Sequence, residues 1–291
     1  MSALIGGIEA GGTKFVLVTG TSPTDITARH VIQTRAPEET LAQAADWFAQ
    51  QGAISALGIG SFGPVDLDPA SSGWGHITNT PKPGWAQCDI AGYFGRRLGV
   101  PVGFDTDVNA AALAEATYGA GRTATSLVYI TIGTGIGGGL VIDGKPVHGT
   151  AHPEMGHIFV RRSGPGDDWP GNCPHHGACL EGLSSGPAII ARWGASLSEM
   201  PPDHEAHALV AGYLAQLCHN LFAMLAVEVI VLGGGVTKAP GLFGKIKELV
   251  GEIGASYLPG RERQSIVAPA LGENSGVVGS LSLAHAALHQ P

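Results

Sequence analysis

The chain has 291 residues, 44% hydrophobic and 14% charged, with 45 glycines, four cysteines and a formal net charge of −8. That length carries one large domain or two smaller ones with a substantial core, and so much glycine without a collagen period points to tight turns and close backbone approaches. The acidic balance argues against nucleic acid or an anionic membrane as main partner; four cysteines are too few for a disulfide framework and fit a reducing cytoplasm; no basic leader or run of about eighteen apolar residues marks export or a membrane span.

Residues 3–8 and 15–18 are short apolar runs around Glu9-Ala10-Gly11-Gly12-Thr13-Lys14, which predicts a hairpin. Gly11 and Gly12 let backbone N–H groups approach an anion, and Thr13 and Lys14 add a hydroxyl and a positive charge. The Walker spacing is absent, and the turn taken alone reads equally well as a bare hairpin. A strand is expected near Ala28–Thr34. Glu38–Gln51 has Leu41, Ala44, Ala45 and Phe48 on one side and predicts a helix. Ser55–Gly60 reads as a strand, and the loop 60–66 at its C-terminal end, with Gly63, is where α/β sheets place ligands. In the turn-rich stretch 70–85, Asn79, Lys82 and Trp85 either face a polar ligand or belong to a structural loop. Asp89–Leu98 reads as a helix and Val100–Phe104 as a strand. Then Asp105-Thr106-Asp107-Val108-Asn109 runs into an alanine-rich helix former. One acidic residue there would cap the helix and complement its dipole. A second, Asp107, at the strand-to-helix switch, is a candidate general base.

Ser126–Ile132 reads as a strand, residues 133–139 as a glycine turn and Leu140-Val141-Ile142 as the return strand. This repeats the plan of the N-terminal hairpin about 120 residues later, and two such hairpins can hold a polyphosphate. The stretch His152–Glu181 contains Cys173-x-x-His176-x-x-Cys179, with His157 upstream. Two thiols and two imidazoles suit tetrahedral zinc, so His157, Cys173, His176 and Cys179 are read as ligands pinning a loop rich in glycine, proline and aspartate. The alternative is buried cysteines beside exposed histidines. Glu154 and Glu181 flank the ligands, so pinning them would position two carboxylates. A helix is expected through Trp193 with Pro187 in its first turn, a long buried helix over Glu205–Val227 and a strand over Val229–Leu232. Gly233-Gly234-Gly235 follows, where a flat ring or ribose can approach the backbone. Helices over Gly241–Gly254 and Gly276–His289 and a strand over Ser265–Pro269 complete the chain.

Together these stretches resemble the ROK family of sugar kinases and repressors, within the actin-like ATPase superfamily, nearly end to end. Gly11-Gly12-Thr13-Lys14 is similar to its first phosphate motif and Gly133-Thr134-Gly135 to its second. Gly233-Gly234-Gly235 is similar to its adenosine motif, and Asp107-Val108-Asn109-Ala110-Ala111 to its catalytic aspartate segment. Glu154-Met155-Gly156-His157 with the Cys/His cluster is the most specific of the set. Ile8–Phe15 and Cys173–Gly182 resemble the bacterial fructokinase branch, and many relatives carry Asp where this chain has Glu9.

The resemblance implies a two-domain α/β fold of the ribonuclease H-like type with an interdomain cleft. Residues 1–112 and the C-terminal helix, about 276–291, would form one domain, and residues 113–275, with the zinc loop, the other. It implies an ATP-dependent hexose kinase, first a fructokinase making fructose 6-phosphate, with mannose, glucose or N-acetylated hexosamine kinases or a sugar-responsive regulator as alternatives. Asp107 would take the proton of the 6-hydroxyl. Gly63, Asn79, Thr106, Glu154, His157 and Glu181 would hold the sugar. The glycine motifs, Lys14 and Pro187 would hold ATP, Glu9 would sit near magnesium through water, and zinc would be structural. A cytoplasmic homodimer is the implied form. A repressor would need a DNA-binding module, for which the chain leaves no room ahead of the first hairpin, and a zinc hydrolase using Glu154 or Glu181 would need an open metal position.

Overall fold

Strand β1 (Ile5–Ala10) turns through Gly11-Gly12-Thr13 into β2 (Lys14–Ser22), and β3 (Asp25–Gln33) pairs antiparallel on its far side. The strict alternation of β2 explains its place. Phe15 and Leu17 join one buried cluster, and Val16 and Val18 join another on the opposite face. Both faces of this sheet must therefore be covered. Helix α1 (Pro37–Gln51) starts with proline and two glutamates in its first turn and buries Leu41, Ala44, Ala45 and Phe48. Strand β4 (Leu57–Ser61) is buried along its whole length and pairs parallel with β1. The short strands β5 (His76–Ile77) and β6 (Cys88–Asp89) close the turn-rich stretch. Trp85 follows the second of its two readings, a structural role: its ring is fully buried against Phe15 and Phe62, and Nε1 donates to the Arg35 carbonyl at 2.8 Å. It is core, not a ligand contact.

Helix α2 (Ile90–Leu98) is capped by Asp89, whose carboxylate accepts from the Gly92 N–H, and ends at Gly99 in the left-handed region. Strand β7 (Val102–Thr106) completes a sheet of order β3-β2-β1-β4-β7, antiparallel on one side of β1 and parallel on the other. Helix α3 (Asp107–Tyr118) follows at once, with the Thr106 hydroxyl accepting from the Asn109 N–H at 3.0 Å.

The second sheet has order β10-β9-β8-β11-β12, built from β8 (Ser126–Ile132), β9 (Ile136–Ile142), β10 (Lys145–Pro146), and, after the metal-loop region, β11 (Val229–Gly233) and β12 (Ser265–Val267). Its parallel half, β8-β11-β12, repeats β1-β4-β7. The return strand begins at Ile136 rather than Leu140, so Gly137, Gly138 and Gly139 are extended backbone within it. A Cβ at Gly138 would meet the Met155 sulfur, which accounts for a glycine inside a strand. Helices α4 (Leu180–Ser184), α5 (Gly186–Trp193), α6 (Glu205–Leu225) and α7 (Leu242–Gly254) lie between β10 and β12 in sequence. By length and composition α6 is apolar enough to cross a membrane, which run length alone did not suggest. Half of that window is buried, and α6 packs against α4 and α7. Helix α8 (Ser275–Ala287) returns to the first sheet. Val277, Leu281 and Ala284 cover Ile5, Val16 and Val18, and Ser280 Oγ donates to the Ile8 carbonyl at 2.8 Å.

The computed structural model describes residues 3–164 and 166–289. By contacts the chain divides into two compact units. One is Met1–Arg122, Gly139–Pro153 and Ala270–Pro291; the other is Thr123–Gly138 and Glu154–Pro269. The division falls within β9, because its second half runs beside α3: a Cβ at Gly139 would collide with the Val108 carbonyl. Within the first unit a buried glutamate ties α3 to α8. Glu115 accepts from the N–H groups of Ala120, Ala270 and Leu271 and from Ser275 Oγ, all between 2.7 and 3.0 Å.

Candidate active site

In the first unit the turn 11–13 is solvent-facing, closed by a bond from the Gly11 N–H to the Lys14 carbonyl at 3.0 Å. Thr34 holds it from the side, its hydroxyl on the Gly11 carbonyl at 2.7 Å. A Cβ at Gly12 would touch nothing, so no neighbour requires glycine there. Lys14 is exposed beside it. Glu9 lies at the inner end of the same hairpin, its carboxyl against Gly276. Burial raises its pKa; Lys14 and Arg29 oppose that rise, and Glu273 adds to it. A hard carboxylate of this kind suits magnesium, whose charge would offset the burial.

Gly63 precedes a cis-proline on the loop after β4. The His152 ring covers it: the Val65 N–H donates to His152 Nε2 at 3.1 Å, and a Cβ on Gly63 would lie 3.3 Å from the imidazole. Asn79 is exposed on the segment after β5. Thr106 is buried, and its hydroxyl is engaged in capping α3. Asp107 is the first residue of α3, half-buried, with Oδ1 accepting from the Val108 N–H at 2.9 Å. A carboxylate there lies at the N-terminal end of the helix, where the backbone N–H groups point.

In the second unit, Gly133, Thr134, Pro187 and Gly235 line one cavity of about 580 Å³, whose remaining wall includes Ile190 and Leu197. That volume suits a nucleoside, and an apolar wall beside glycine backbone suits a flat ring. Gly233 closes β11, and Gly234 has φ of +92° with its backbone against the Ile132 carbonyl, so only glycine fits there without strain. The turn 133–135 is held at both ends. The Gly133 carbonyl accepts from the Gly186 N–H at 2.8 Å, and Glu181 Oε2 accepts from the Ile136 N–H at 2.8 Å. Glu181 thus buttresses the second glycine hairpin, a contact the sequence reading did not contain. Another cavity of about 570 Å³, lined in part by His219, Lys247 and Arg261, holds none of the candidate residues.

One ligand atom from each of His157, Cys173, His176 and Cys179 falls within 4.8 Å of the others. Cys173 Sγ is 3.8 Å from His157 Nδ1 and 3.7 Å from His176 Nδ1, and Cys179 Sγ is 3.5 Å from His157 Nδ1. A tetrahedral zinc with bonds of about 2.3 Å to sulfur and about 2.05 Å to nitrogen separates S from N by about 3.6 Å. The donor set and its spacing therefore fit zinc. Burial pushes the Cys179 thiol up to about 11, with Cys173 and Glu181 adding to the rise, so a thiolate there needs a cation. His157 turns Nδ1 to this cluster and Nε2 to the other side, 4.0 Å from Glu154 Oε2. The loop has a second anchor that sequence reasoning missed. Asp167 is buried, accepting from Tyr213 Oη, from the Ser163 N–H, and from Arg162 and Arg192 at 3.0 and 3.1 Å. Burial alone would raise its carboxyl; these donors outweigh it and hold the group at about 2.

A model described as "ROK family" matches residues 5–287. The chain is 44% identical over 292 residues to the fructokinase of Zymomonas mobilis subsp. mobilis, covering 98% of this chain and 97% of that protein. It is 41% identical over 290 residues to the fructokinase of Pediococcus pentosaceus, covering 98% and 99%. The ROK hexokinase of Thermus thermophilus has the same fold, with a TM-score of 0.77, 28% identity, and 97% and 98% of the two chains covered.

Proposed function

Because this chain belongs to the ROK family, we infer that it is an ATP-dependent sugar kinase, and specifically a fructokinase that converts fructose to fructose 6-phosphate. The likeness to fructokinases along nearly the whole of both chains carries this reading. In the reaction the fructose 6-hydroxyl oxygen bonds the γ-phosphorus as the bond from that phosphorus to the β,γ-bridging oxygen breaks, and ADP leaves. Phosphoryl transfer of this kind depends on positioning and charge neutralisation more than on covalent chemistry by the protein.

Asp107 accepts the proton of the attacking hydroxyl; its place at the start of α3 supports that assignment. Gly63, Asn79, Thr106, Glu154, His157 and Glu181 hold the sugar. Glu154 and Glu181 accept from hydroxyls, and His157 offers the ring nitrogen that points away from the thiols. The turns at Gly11-Gly12-Thr13 and Gly133-Thr134-Gly135 offer the phosphates the N–H groups left over from their closing bonds at Gly11 and Gly133, with Lys14 adding charge. Pro187 and Gly233-Gly234-Gly235 take the adenosine, supported by the cavity that Pro187 and Gly235 share with Gly133. Glu9 would hold magnesium through water, and that ion would supply positive charge against the phosphates. Zinc, held by His157, Cys173, His176 and Cys179, is structural, since four protein ligands leave no open position for water. The enzyme works as a cytoplasmic homodimer; four free cysteines support a reducing compartment, and light scattering on the purified chain tests the dimer.

A coupled ADP-release assay across fructose, mannose, glucose and N-acetylmannosamine tests the proposal. The expected result is fastest release with fructose. A faster rate with another hexose would reassign the substrate, and no sugar-stimulated release at all would remove the kinase reading.

A further inference from the structure

The carboxylate of Asp105, at the end of β7, is 3% exposed and bonded on both oxygens. Oδ1 accepts from the Thr106 N–H at 2.8 Å and from Asn109 Nδ2 at 2.7 Å, and Oδ2 lies 2.9 Å from His148 Nε2. A buried charge is costly unless it is both hydrogen-bonded and paired. The two amide donors supply bonds but no charge. His148 supplies a bond, and a charge when protonated, reaching in from the segment after β10 with its side chain 38% exposed. The bond to Asp105 raises the imidazole pKa against the opposing effect of burial, so the ring carries more positive charge than an ordinary histidine.

Asn109 is fully buried, and its Oδ1 has no partner among the described residues. Its amide is therefore oriented through Nδ2, by Asp105. Residues 105 and 109 thus clamp the first turn of α3 from both ends, and Asp107 lies between them.

We propose that His148 is a positioning residue for phosphoryl transfer: by fixing Asp105, and through it Asn109, it sets the direction in which the first turn of α3 presents the Asp107 carboxylate. This rests on Asp107 being the base. Misplacing a catalytic group by about 1 Å costs on the order of a hundredfold in rate. The far end of α3 has an independent anchor in the Glu115 network, so loss of His148 acts on the first turn, where the Thr106 cap remains, and leaves the helix in place.

The test uses the full chain with ATP and fructose and compares the parent with His148→Ala, His148→Gln and Asp107→Asn. Gln keeps an N–H donor for Asp105. His148→Ala should lower kcat about tenfold or more, with KM for fructose and ATP within about threefold and a lower Tm, the cooperative unfolding transition being retained. His148→Gln should recover part of the lost kcat, since it keeps the hydrogen bond and loses the charge. An unchanged kcat in His148→Ala overturns the proposal. So does a loss expressed in KM, a failure of Gln to rescue, or a loss of the fold, each of which assigns His148 another role. Parent-like turnover in Asp107→Asn would remove the base reading itself, whereas an inactive Asp107→Asn beside an unaffected His148→Ala removes only His148.

Discussion

Glu181 sits two residues from a proposed zinc ligand, yet its Oε2 is bonded to the Ile136 N–H at the end of the second glycine turn. A carboxylate-to-amide bond of this kind contributes about 1.5–3 kcal/mol, against about 0.5–1.5 kcal/mol for a neutral pair. Glu181→Gln keeps the shape and loses the charge, so it should weaken ATP binding by about 1 kcal/mol, roughly fivefold. Glu181→Ala also leaves Ile136 without its acceptor, and about 2 kcal/mol, roughly thirtyfold, is expected. Calorimetric titration with a non-hydrolysable ATP analogue, without sugar, isolates this effect from any contact between Glu181 and fructose. ATP affinity unchanged in both variants would refute the reasoning and leave Glu181 to the sugar alone.

The buried Asp167 network makes a second prediction. Asp167→Asn leaves Arg192 without its buried partner and should cost about 3–5 kcal/mol in urea unfolding at pH 7. The folded-state pKa is depressed from 3.8 to about 2, so the corresponding stability, about 2 kcal/mol, is fully present above 3.8 and lost as pH falls through 2. Tm measured down that range should fall in the parent and stay flatter in Asp167→Asn. For the metal cluster, elemental analysis should find stoichiometric zinc, and stripping it with a strong chelator should lower Tm; a metal-free preparation with unchanged Tm and rate would contradict a structural zinc.

Local pattern carried the sequence reading far. The alternation of Phe15-Val16-Leu17-Val18 marks a strand buried on both faces, and the Cys173-x-x-His176-x-x-Cys179 spacing marks a knuckle that needs only His157 to close it. Gly133, Thr134, Pro187 and Gly235, scattered over about a hundred residues and each read from its own neighbours, line one cavity. What stayed hidden depends on partners far along the chain. Trp85 in a turn-rich stretch reads equally as a ligand contact or as part of a structural loop until Arg35, fifty residues away, accepts its N–H. The attachment of Glu181 to Ile136, of His148 to Asp105 and of Glu115 to Ala270 spans separations of 45, 43 and 155 residues. A buried carboxylate has no periodic signature, so its role becomes visible only when its donors are placed. Glycines that permit close packing and glycines that leave room for a ligand look the same in sequence. Gly139 lies against the Val108 carbonyl, whereas a Cβ at Gly12 would meet nothing.

The most direct test of the catalytic account is Asp107→Asn, assayed for fructose-dependent ADP release alongside calorimetric fructose binding. The side chain keeps its size and its place at the start of α3 while losing the capacity to take a proton. Loss of a general base costs about 10²–10⁴ in turnover, and the account predicts a fall in that range with fructose affinity within about threefold of the parent. Turnover within tenfold of the parent, with the variant properly folded, would contradict it.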